Sequence, residues 1–513
     1  MLLHDTIGGT MTGMSTYAAP SRAGAVDRST ARPLIALVTL ALALRIPAAF
    51  WPNVIYPDEI FQYLEPAWRM LGHDSIVTWE WRDGIRGWFL PTLIAGPVAL
   101  GDWIAPGGEA AFVVPRLVAA CASLSIVVSA WFFGARVSRT HAAIAAFVTA
   151  IWFEFIMLAP RTLGEPIATA LILPGALLLT DRPSRRRIVI GGALLGLAFV
   201  CRFQYAPAIA ILVIGAFRPH WRNVIPLVVG GVIALLVSAA IDAAHGAVPF
   251  GWLIANIKQN LILDRAASFG LHSPLGYFVR FIDVWSWAIV LFLAAIWRGR
   301  RNARLLLDVA LVNLVFHVLI GHKEERFIFL STVLLVILAA LGSADWLQAL
   351  RARHAWRAWA FPVVAGGWLL LSLGLAGASS DTREYWTRGV GAARLAAELH
   401  GDARRCGLAL YKIRFQAFPG LQRLAGWAPL YLFHPKDPVT EGRLSAGLQA
   451  ASPAFNRVIA REEAASDLPP NYTKRSCAPV GDTDACIYIR SGGCDASAAS
   501  RFFINDVLSR VDN

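Results

Sequence analysis

The chain has 513 residues, of which 56% are apolar and only 16% charged, whereas a soluble domain is about a quarter charged. A soluble core cannot bury this much apolar surface, so the composition predicts a polytopic α-helical membrane protein. The net charge of +13 comes mainly from arginines in short blocks between apolar runs, which is the pattern of cytoplasmic loops and argues against a nucleic-acid partner.

The apolar runs define the predicted membrane topology. Residues 1–32 are polar and are predicted to form a disordered cytoplasmic tail, and a span needs about 20 apolar residues. The predicted spans are 33–51, 112–134, 141–159, 163–180, 188–201, 206–217, 224–244, 283–297, 305–320, 327–349 and 358–378. The apolar run 88–106 must not cross if the arginine blocks are all cytoplasmic. This predicts about eleven helices within a transmembrane module at 33–378, with large external loops at 52–111 and 245–282.

The tail at 379–513 has a different composition. Its short β-like runs "CGLALYKI" and "ACIYIRSG" alternate with polar turns, which predicts a small external α/β domain. The cysteines of this tail are Cys406, Cys477, Cys486 and Cys494. An even number in an external domain predicts two disulfides, and three pairings are possible.

The stretch "PDEIFQYLE" (57–65) follows the first span and carries Asp58, Glu59, Gln62 and Glu65. Pro57 ends the span, so the carboxylates are expected at the membrane–water boundary, where one can accept a proton from a sugar hydroxyl. The alternative is structural, because acidic residues also favour the amino-terminal end of a helix.

Two further motifs of the first half carry charged or aromatic side chains. In "TWEW" (78–81), Trp79 and Trp81 flank Glu80, which suits stacking on a sugar or an interfacial aromatic belt. In "RTLGEP" (161–166), Arg161 and Glu165 either pair with each other or present the arginine to an anion.

The segment "GHKEERFIFL" (321–330) places His322, Lys323, Glu325 and Arg326 between two apolar runs. On a helix Lys323 and Arg326 would share a face, which predicts a phosphate clamp. A loop for substrate is also predicted at "SFGLHSPLGYF" (268–278), which contains His272. No Walker loop, dinucleotide fingerprint or zinc-ligand motif occurs, so no nucleotide cofactor and no metal is expected.

These motifs in this order resemble glycosyltransferase family 22, which includes mannosyltransferases of GPI-anchor and N-glycan-precursor assembly. The matching stretches are "PDEIFQYLE", "TWEW", "IRGWFLP", "RTLGE", "SFGLHSP" and "HKEERF". The resemblance implies the GT-C fold and mannose transfer, with inversion, from a polyprenyl-phosphate donor to an external glycan or glycolipid acceptor. A lipid-linked glycan flippase is the alternative, although internal repeats typical of transporters are not found.

The resemblance also implies site residues. The predicted catalytic residues are Asp58 and Glu59, and the predicted donor-phosphate ligands are His322, Lys323, Arg326 and Arg161. The predicted substrate-binding residues are Gln62, Glu65, Trp79, Glu80, Trp81, Glu165, His272 and Glu325. The partners would be the lipid-phosphate donor, the acceptor and membrane lipid. The composition suggests a bacterial inner-membrane protein with its site facing the periplasm, or the endoplasmic reticulum membrane in a eukaryote.

Overall fold

The computed structural model describes residues 28–181, 183–217, 224–353, 359–440 and 442–511. Most of the predicted tail at 1–32 therefore lies outside the described residues. The first helix begins at Arg28, before the predicted start at Pro33. The prediction missed this first turn because it is polar, and hydropathy detects only the apolar part of a helix.

A helical module precedes a mixed α/β domain. Its helices are α1 (Arg28–Phe50), α2 (Glu65–Met70), α3 (Trp79–Arg82), α4 (Phe89–Ile104), α5 (Ala110–Ala135), α6 (Arg139–Ile151), α7 (Phe153–Leu158), α8 (Gly164–Thr180), α9 (Arg185–Cys201), α10 (Ala206–Phe217), α11 (Val224–Ala244), α12 (Gly251–Ile257), α13 (Gly276–Trp285), α14 (Ile289–Gly299), α15 (Arg304–Val318), α16 (Phe329–Ala352) and α17 (Ala360–Ala378). Within the described residues the eleven predicted spans fall on helical segments, which confirms the polytopic α-helical fold. Two of them are interrupted, since 141–159 is divided between α6 and α7 and 283–297 between α13 and α14.

Length and composition separate the helices of this module. The helical stretches in the described residues that are long and apolar enough to cross a membrane are Ala31–Phe50, Ala110–Ala135, Val224–Ala244, Gly276–Gly299, Glu325–Ala352 and Ala360–Ala378. Shorter apolar helices of 10–17 residues accompany them. The helix ending at Ala352 is the centre of the module, since 94% of the residues in its most apolar 18-residue stretch are buried. It is hydrophobic on all sides, as a fully enclosed helix must be.

The apolar run predicted not to cross is helix α4. It buries Leu90, Ile94 and Val98 in a hydrophobic core that it shares with the carboxyl-terminal domain, separate from the core around α16. Its outer side exposes Leu100 and Trp103. Helix α4 thus shares its core with the carboxyl-terminal domain, and its location along the membrane surface stays a prediction.

The carboxyl-terminal domain contains five strands in the order β2-β1-β3-β5-β4. They are β1 (Leu408–Tyr411), β2 (Leu430–Phe433), β3 (Arg457–Arg461), β4 (Thr473–Val480) and β5 (Thr483–Ile489). Its helices are α18 (Ser380–Thr387), α19 (Val390–His400), α20 (Leu421–Leu424), α21 (Leu444–Ala451) and α22 (Ile504–Val511). Strands β1 to β3 are parallel; β1 and β2 are continuously apolar, and β3 is apolar between its terminal arginines, as expected for strands covered on both faces. The predicted α/β domain is confirmed.

Both predicted disulfides are present in this domain. Cys406 pairs with Cys494, and Cys477 pairs with Cys486 across the β4–β5 hairpin. The structure thereby selects one of the three pairings that the sequence left open.

Candidate active site

The segment that follows α1 turns back into a helix at the predicted motif. Residues 57–70 are helical, with a π-helical stretch at Glu59–Leu64 that continues directly into α2. Such π-helical turns are rare and concentrate at functional sites. The wider turn places Asp58 and Glu59 in two different environments, although they are neighbours in the chain.

Asp58 is partly exposed and faces arginines from distant parts of the chain. Its Oδ2 accepts a hydrogen bond from Arg326 Nη2 at 2.5 Å and lies 3.9 Å from Arg86 Nη2. Within the described part of the chain, both cations reach Oδ2, and Oδ1 accepts no hydrogen bond. The side chain of Asp58 is 24% exposed, so a substrate can reach that free oxygen.

Glu59 is instead the centre of a buried ion network. Arg116 donates to its two oxygens at 2.8 and 2.5 Å, and Arg161 Nη1 lies 3.9 Å away. Burial alone would raise the pKa of Glu59, but the two guanidinium groups lower it below its ordinary value. Glu59 and Arg161 are fully enclosed, and Arg161 also donates to Asn53 Oδ1 at 2.7 Å. This arrangement favours a structural role over the predicted catalytic and phosphate-binding roles.

Glu165 pairs with Arg202, so the alternative in which it pairs with Arg161 is not the one found. Glu165 Oε1 lies 3.3 Å from Arg202 Nη1 and 3.7 Å from Arg326 Nη1. Gly164 makes this approach possible, because a Cβ there would lie 2.5 Å from the carbonyl oxygen of Cys201. Glu165 is fully buried, so it holds the two arginines and does not itself face a substrate.

The "HKEERF" segment is an ordered loop in which only the last part is helical. A 3₁₀ turn begins at Glu325, so Lys323 and Arg326 do not share a helix face as predicted. Lys323 Nζ donates to the carbonyl oxygens of Val318 and Ile320 at 3.0 and 2.5 Å, which caps the carboxyl end of α15. Lys323 is therefore occupied by a helix terminus, where cations are favourable.

The other charged residues of this loop have internal partners as well. Arg326 Nε donates to Glu324 at 2.7 Å, and His322 Nε2 lies 3.0 Å from the other oxygen of Glu324. The hydrogen bond with Glu324 raises the pKa of His322. Glu325 lies on the far side of the loop, where Tyr56 donates to it at 2.6 Å and Arg280 lies 2.9 Å away.

A cleft that is open to solvent lies between the helix 57–70 and the end of α9, and its lining residue Arg86 reaches to within 3.9 Å of Asp58. The residues lining it are Gln62, Tyr63, Ile85, Arg86, Gly87, Phe89, Leu90, Val200, Cys201, Arg202, Phe203, Gln204, Trp252 and Asn256. Arg86 and Arg202 each have a buried Nε without a hydrogen-bond partner in the described part of the chain. Unused donors of this kind are costly unless a ligand satisfies them. The cleft thus combines two cations with an adjacent carboxylate.

The profile of one protein family matches residues 36–378, well over half of the chain, and its description is Alg9-like mannosyltransferase family. The chain belongs to the Alg9-like mannosyltransferase family. Individual mannosyltransferases are also similar to this chain. GPI alpha-1,2-mannosyltransferase 3 of Bos taurus is 26% identical over 58% of this chain and 56% of its own length. GPI mannosyltransferase 3 of Yarrowia lipolytica is 28% identical over 64% of this chain and 65% of its own length. The chain thus spans less than two thirds of these relatives.

Solved structures support the same fold. ArnT from Cupriavidus metallidurans bound to undecaprenyl phosphate superposes with a TM-score of 0.59 at 14% identity, over 88% of this chain and 97% of ArnT. The apo form of that ArnT superposes with a TM-score of 0.57 over 92% of this chain and 99% of ArnT. These matches confirm the predicted GT-C fold for this Alg9-like chain.

The aromatic motifs of this family member contact one another and the helix that carries Asp58, and none of their residues lines the cleft. Trp79 stacks on Phe269 at 6.1 Å with Arg265 over its ring, so "TWEW" and the 268–278 loop do come together. Trp81 turns inward and donates to the Phe61 carbonyl oxygen at 3.1 Å. The ring of His272 lies 6.1 Å from that of His322.

Two predicted substrate ligands, Gln62 and Glu80, bind each other. Gln62 Nε2 donates to Glu80 Oε1 at 2.6 Å, and burial raises the pKa of Glu80. Gln62 borders the cleft, so its prediction as a substrate ligand is retained.

Glu65 does not face the cleft. It is buried under the carboxyl-terminal domain, where its oxygens accept the backbone N–H groups of Ile76 and Leu421, each at 2.5 Å. Burial raises its pKa to about 7, although both hydrogen bonds favour the charged form. A substrate role for Glu65 is therefore not supported.

Sequence reasoning did not assign Arg86 or Arg202 to the site. Arg86 stands in "IRGWFLP", a stretch already recognised as part of the family pattern, and Arg202 interrupts two short apolar runs. A lone arginine between two short apolar segments is costly in a membrane unless it is paired or binds a ligand. This position was the feature by which Arg202 could have been recognised.

Proposed function

We propose that this protein transfers a mannosyl residue, or a similar hexose, from a polyprenyl-phosphate donor to a hydroxyl group of an external glycan or lipid-linked acceptor, with inversion. The observation that carries the proposal is the partly exposed Asp58 at a cleft with two arginines whose donors are not satisfied internally. The family, and a relative of the same fold that was crystallised with undecaprenyl phosphate, support the class of donor.

Asp58 acts as the general base of a single displacement. Its free Oδ1 takes the proton of the acceptor hydroxyl while that oxygen attacks the anomeric carbon. The bond from the anomeric carbon to the phosphate oxygen breaks, and its electron pair leaves on the lipid phosphate. One displacement inverts the configuration at the anomeric carbon. Arg326 fixes the orientation of the carboxylate through Oδ2, as the 2.5 Å contact indicates.

The leaving phosphate carries the charge that must be stabilised. We place it against Arg86 and Arg202, which line the cleft with unused donors. Charge-assisted hydrogen bonds from preorganised cations lower the barrier without a change in protonation. His322 and Arg326, predicted as ligands for the same phosphate, stand at the rim and hold the carboxylates in place. The step as written uses no nucleotide and no metal ion.

The site opens on the external side of the membrane, which is the periplasm if the protein is bacterial. The arginine blocks that lie between the spans on the opposite side support this orientation. The donor then supplies its sugar from the external leaflet, and its isoprenoid chain remains in the bilayer.

The test is a transfer assay with the purified full-length protein in lipid nanodiscs. Radiolabelled polyprenyl-phosphate mannose and GDP-mannose are offered in parallel with a panel of glycolipids that carry free sugar hydroxyls. We expect label transfer from the lipid-phosphate donor alone, in an α linkage. Equal use of GDP-mannose, or a β-linked product, would overturn the proposal.

A further inference from the structure

The carboxyl-terminal domain holds the helix that carries Asp58. Glu65 lies two turns after Asp58 on that helix and accepts the backbone N–H of Leu421, the first residue of α20. The same carboxylate accepts the N–H of Ile76 from the loop that follows α2. One fully buried side chain therefore joins three segments that are distant in sequence.

The backbone of the domain is shaped around this carboxylate. Gly420 has φ +93°, and a Cβ at that position would lie 2.3 Å from Glu65 Oε1. A residue with a side chain would therefore be strained by its backbone conformation and would also collide with the carboxylate. The ring of Phe415 packs edge-on against Phe61 at 5.2 Å, which adds an apolar contact beside the hydrogen bonds.

A second group of contacts fixes the loop at residues 74–78, which is not helical before α3. Asn505 of α22 accepts the N–H of Val77 at 2.8 Å and donates to the Ser75 carbonyl oxygen at 2.9 Å. Gln422 of α20 donates to the Asp74 carbonyl oxygen at 2.8 Å. The polar backbone of this loop is thus satisfied by the carboxyl-terminal domain and by Glu65.

This loop leads directly into the cleft. It continues into α3, where Glu80 binds Gln62 of the Asp58 helix, and then into the segment that presents Arg86. A shift of the loop would change the distance from Arg86 to Asp58, which is now 3.9 Å. Misplacement of reacting groups by about 1 Å can cost about 100-fold in rate.

We infer that Glu65 and Asn505 are positioning residues, through which the carboxyl-terminal domain completes the active site by holding the loop 74–78 and Arg86 against Asp58. The inference rests on the proposed function for its catalytic readout. It assigns the domain a part in the transfer reaction itself, with no requirement that the domain bind a substrate.

The test compares variants of the full-length protein. Glu65→Gln presents an amide nitrogen to one of the two backbone N–H groups that Glu65 binds, Ile76 or Leu421. Asn505→Ala removes the two hydrogen bonds from Asn505 to the loop 74–78. For each variant we expect kcat to fall about 10- to 100-fold. The donor KM should rise by less than the tenfold expected for Arg86→Ala, because the Arg86 guanidinium is displaced from Asp58 but not removed. The matched control is Glu109→Gln, which removes an exposed carboxylate that pairs with the buried Arg423 in the same interface and should change kcat less than about twofold.

Amide hydrogen exchange gives a readout that does not depend on activity. Peptides covering residues 74–78 should exchange faster in Glu65→Gln and Asn505→Ala than in the wild type or the control. Unchanged exchange in both variants overturns the contact, and faster exchange with unchanged kcat overturns the positioning role. If the wild type transfers no mannose, the proposed function fails, whereas the exchange result still tests the contact. If Glu65→Gln does not fold, Asn505→Ala decides the question by both readouts.

Discussion

Asp58 and Glu59 are consecutive carboxylates, yet the regions around them differ. The region of Asp58 is an open cleft, where the carboxylate keeps one oxygen free and nearby arginines keep unused donors. The region of Glu59 is closed, and Arg116 and Arg161 neutralise it within a fully buried network. Arg161 Nη1 also lacks a hydrogen-bond partner in the described part of the chain, but it is fully buried, so only the first arrangement offers hydrogen-bonding capacity that a substrate can reach.

The comparison teaches that unsatisfied capacity, and not the presence of a charge, distinguishes a site from a support. A buried ion pair has already exchanged solvation for internal contacts, so a ligand gains little by binding there. Lys323 is a further example. It was predicted to bind the donor phosphate, but its side chain caps the carboxyl end of α15. Arg86 and Arg202 were not predicted as ligands, yet each has an Nε without a hydrogen-bond partner in the described part of the chain.

The largest effect is expected from Asp58→Asn, which keeps the shape but removes the proton acceptor. Transfer should fall by about 10²- to 10⁴-fold, with little change in melting temperature. Asp83→Asn is the matched control, because Asp83 is similarly exposed and also lies 2.5 Å from an arginine, Arg265. Initial rates of mannose transfer measure both. Equal losses in the two variants would mean that Asp58 acts only through an ion pair.

Glu59→Gln should lower the stability of the fold and leave the transfer rate of the folded protein largely unchanged. Removing one partner of a buried pair leaves Arg116 uncompensated, at a cost of about 3–5 kcal/mol. Thermal unfolding in detergent should show a much lower melting temperature, while protein that remains folded keeps most of its kcat. Asp181→Asn, which breaks an exposed pair with Arg187, should change little. A stable Glu59→Gln protein without activity would place Glu59 in the catalytic step.

Arg86→Ala should raise the donor KM by about tenfold, as expected for loss of one charge-assisted hydrogen bond to a phosphate. Arg202→Ala should do the same, with an added loss of stability because Glu165 then loses its nearest cation. Arg475→Ala, an exposed arginine of the carboxyl-terminal domain, serves as the control. Donor titrations at saturating acceptor provide the measurement. An unchanged KM in both cleft variants would return the phosphate to the "HKEERF" loop.

The smallest effect concerns pH. The pair with Glu324 raises the pKa of His322, so this pair stabilises the fold fully below the unfolded value of 6.5. That stabilisation, about 1 kcal/mol, is lost as pH rises through the raised pKa. The melting temperature of the wild type should therefore decline more than that of His322→Gln between pH 6 and 9. Parallel curves for the two proteins would show that His322 does not titrate in this window.

Part of the site was predictable because its residues lie in short motifs with characteristic chemistry. Asp58 was singled out from "PDE", and "TWEW" and the 268–278 loop were each predicted to bind substrate, although their contact through Trp79 and Phe269 is seen only in the structure. The partners were not predictable. The sequence left Arg161 either paired with Glu165, four residues away, or free to bind a phosphate, but Arg161 lies beside Glu59 and Glu165 binds Arg202. With several arginines and carboxylates near one another, many ion pairs are possible, and spacing along the sequence does not distinguish among them.

The sequence by itself determined the membrane class, the helical segments and the carboxyl-terminal α/β domain, because hydropathy and side-chain alternation are properties of short segments. Tertiary structure alone decided which charges remain available. Glu59 and Arg116 are 57 residues apart, Asp58 and Arg326 are 268 apart, and Glu65 and Leu421 are 356 apart. Burial and pairing across such distances depend on how the helices and the domain pack, and no local pattern encodes that packing.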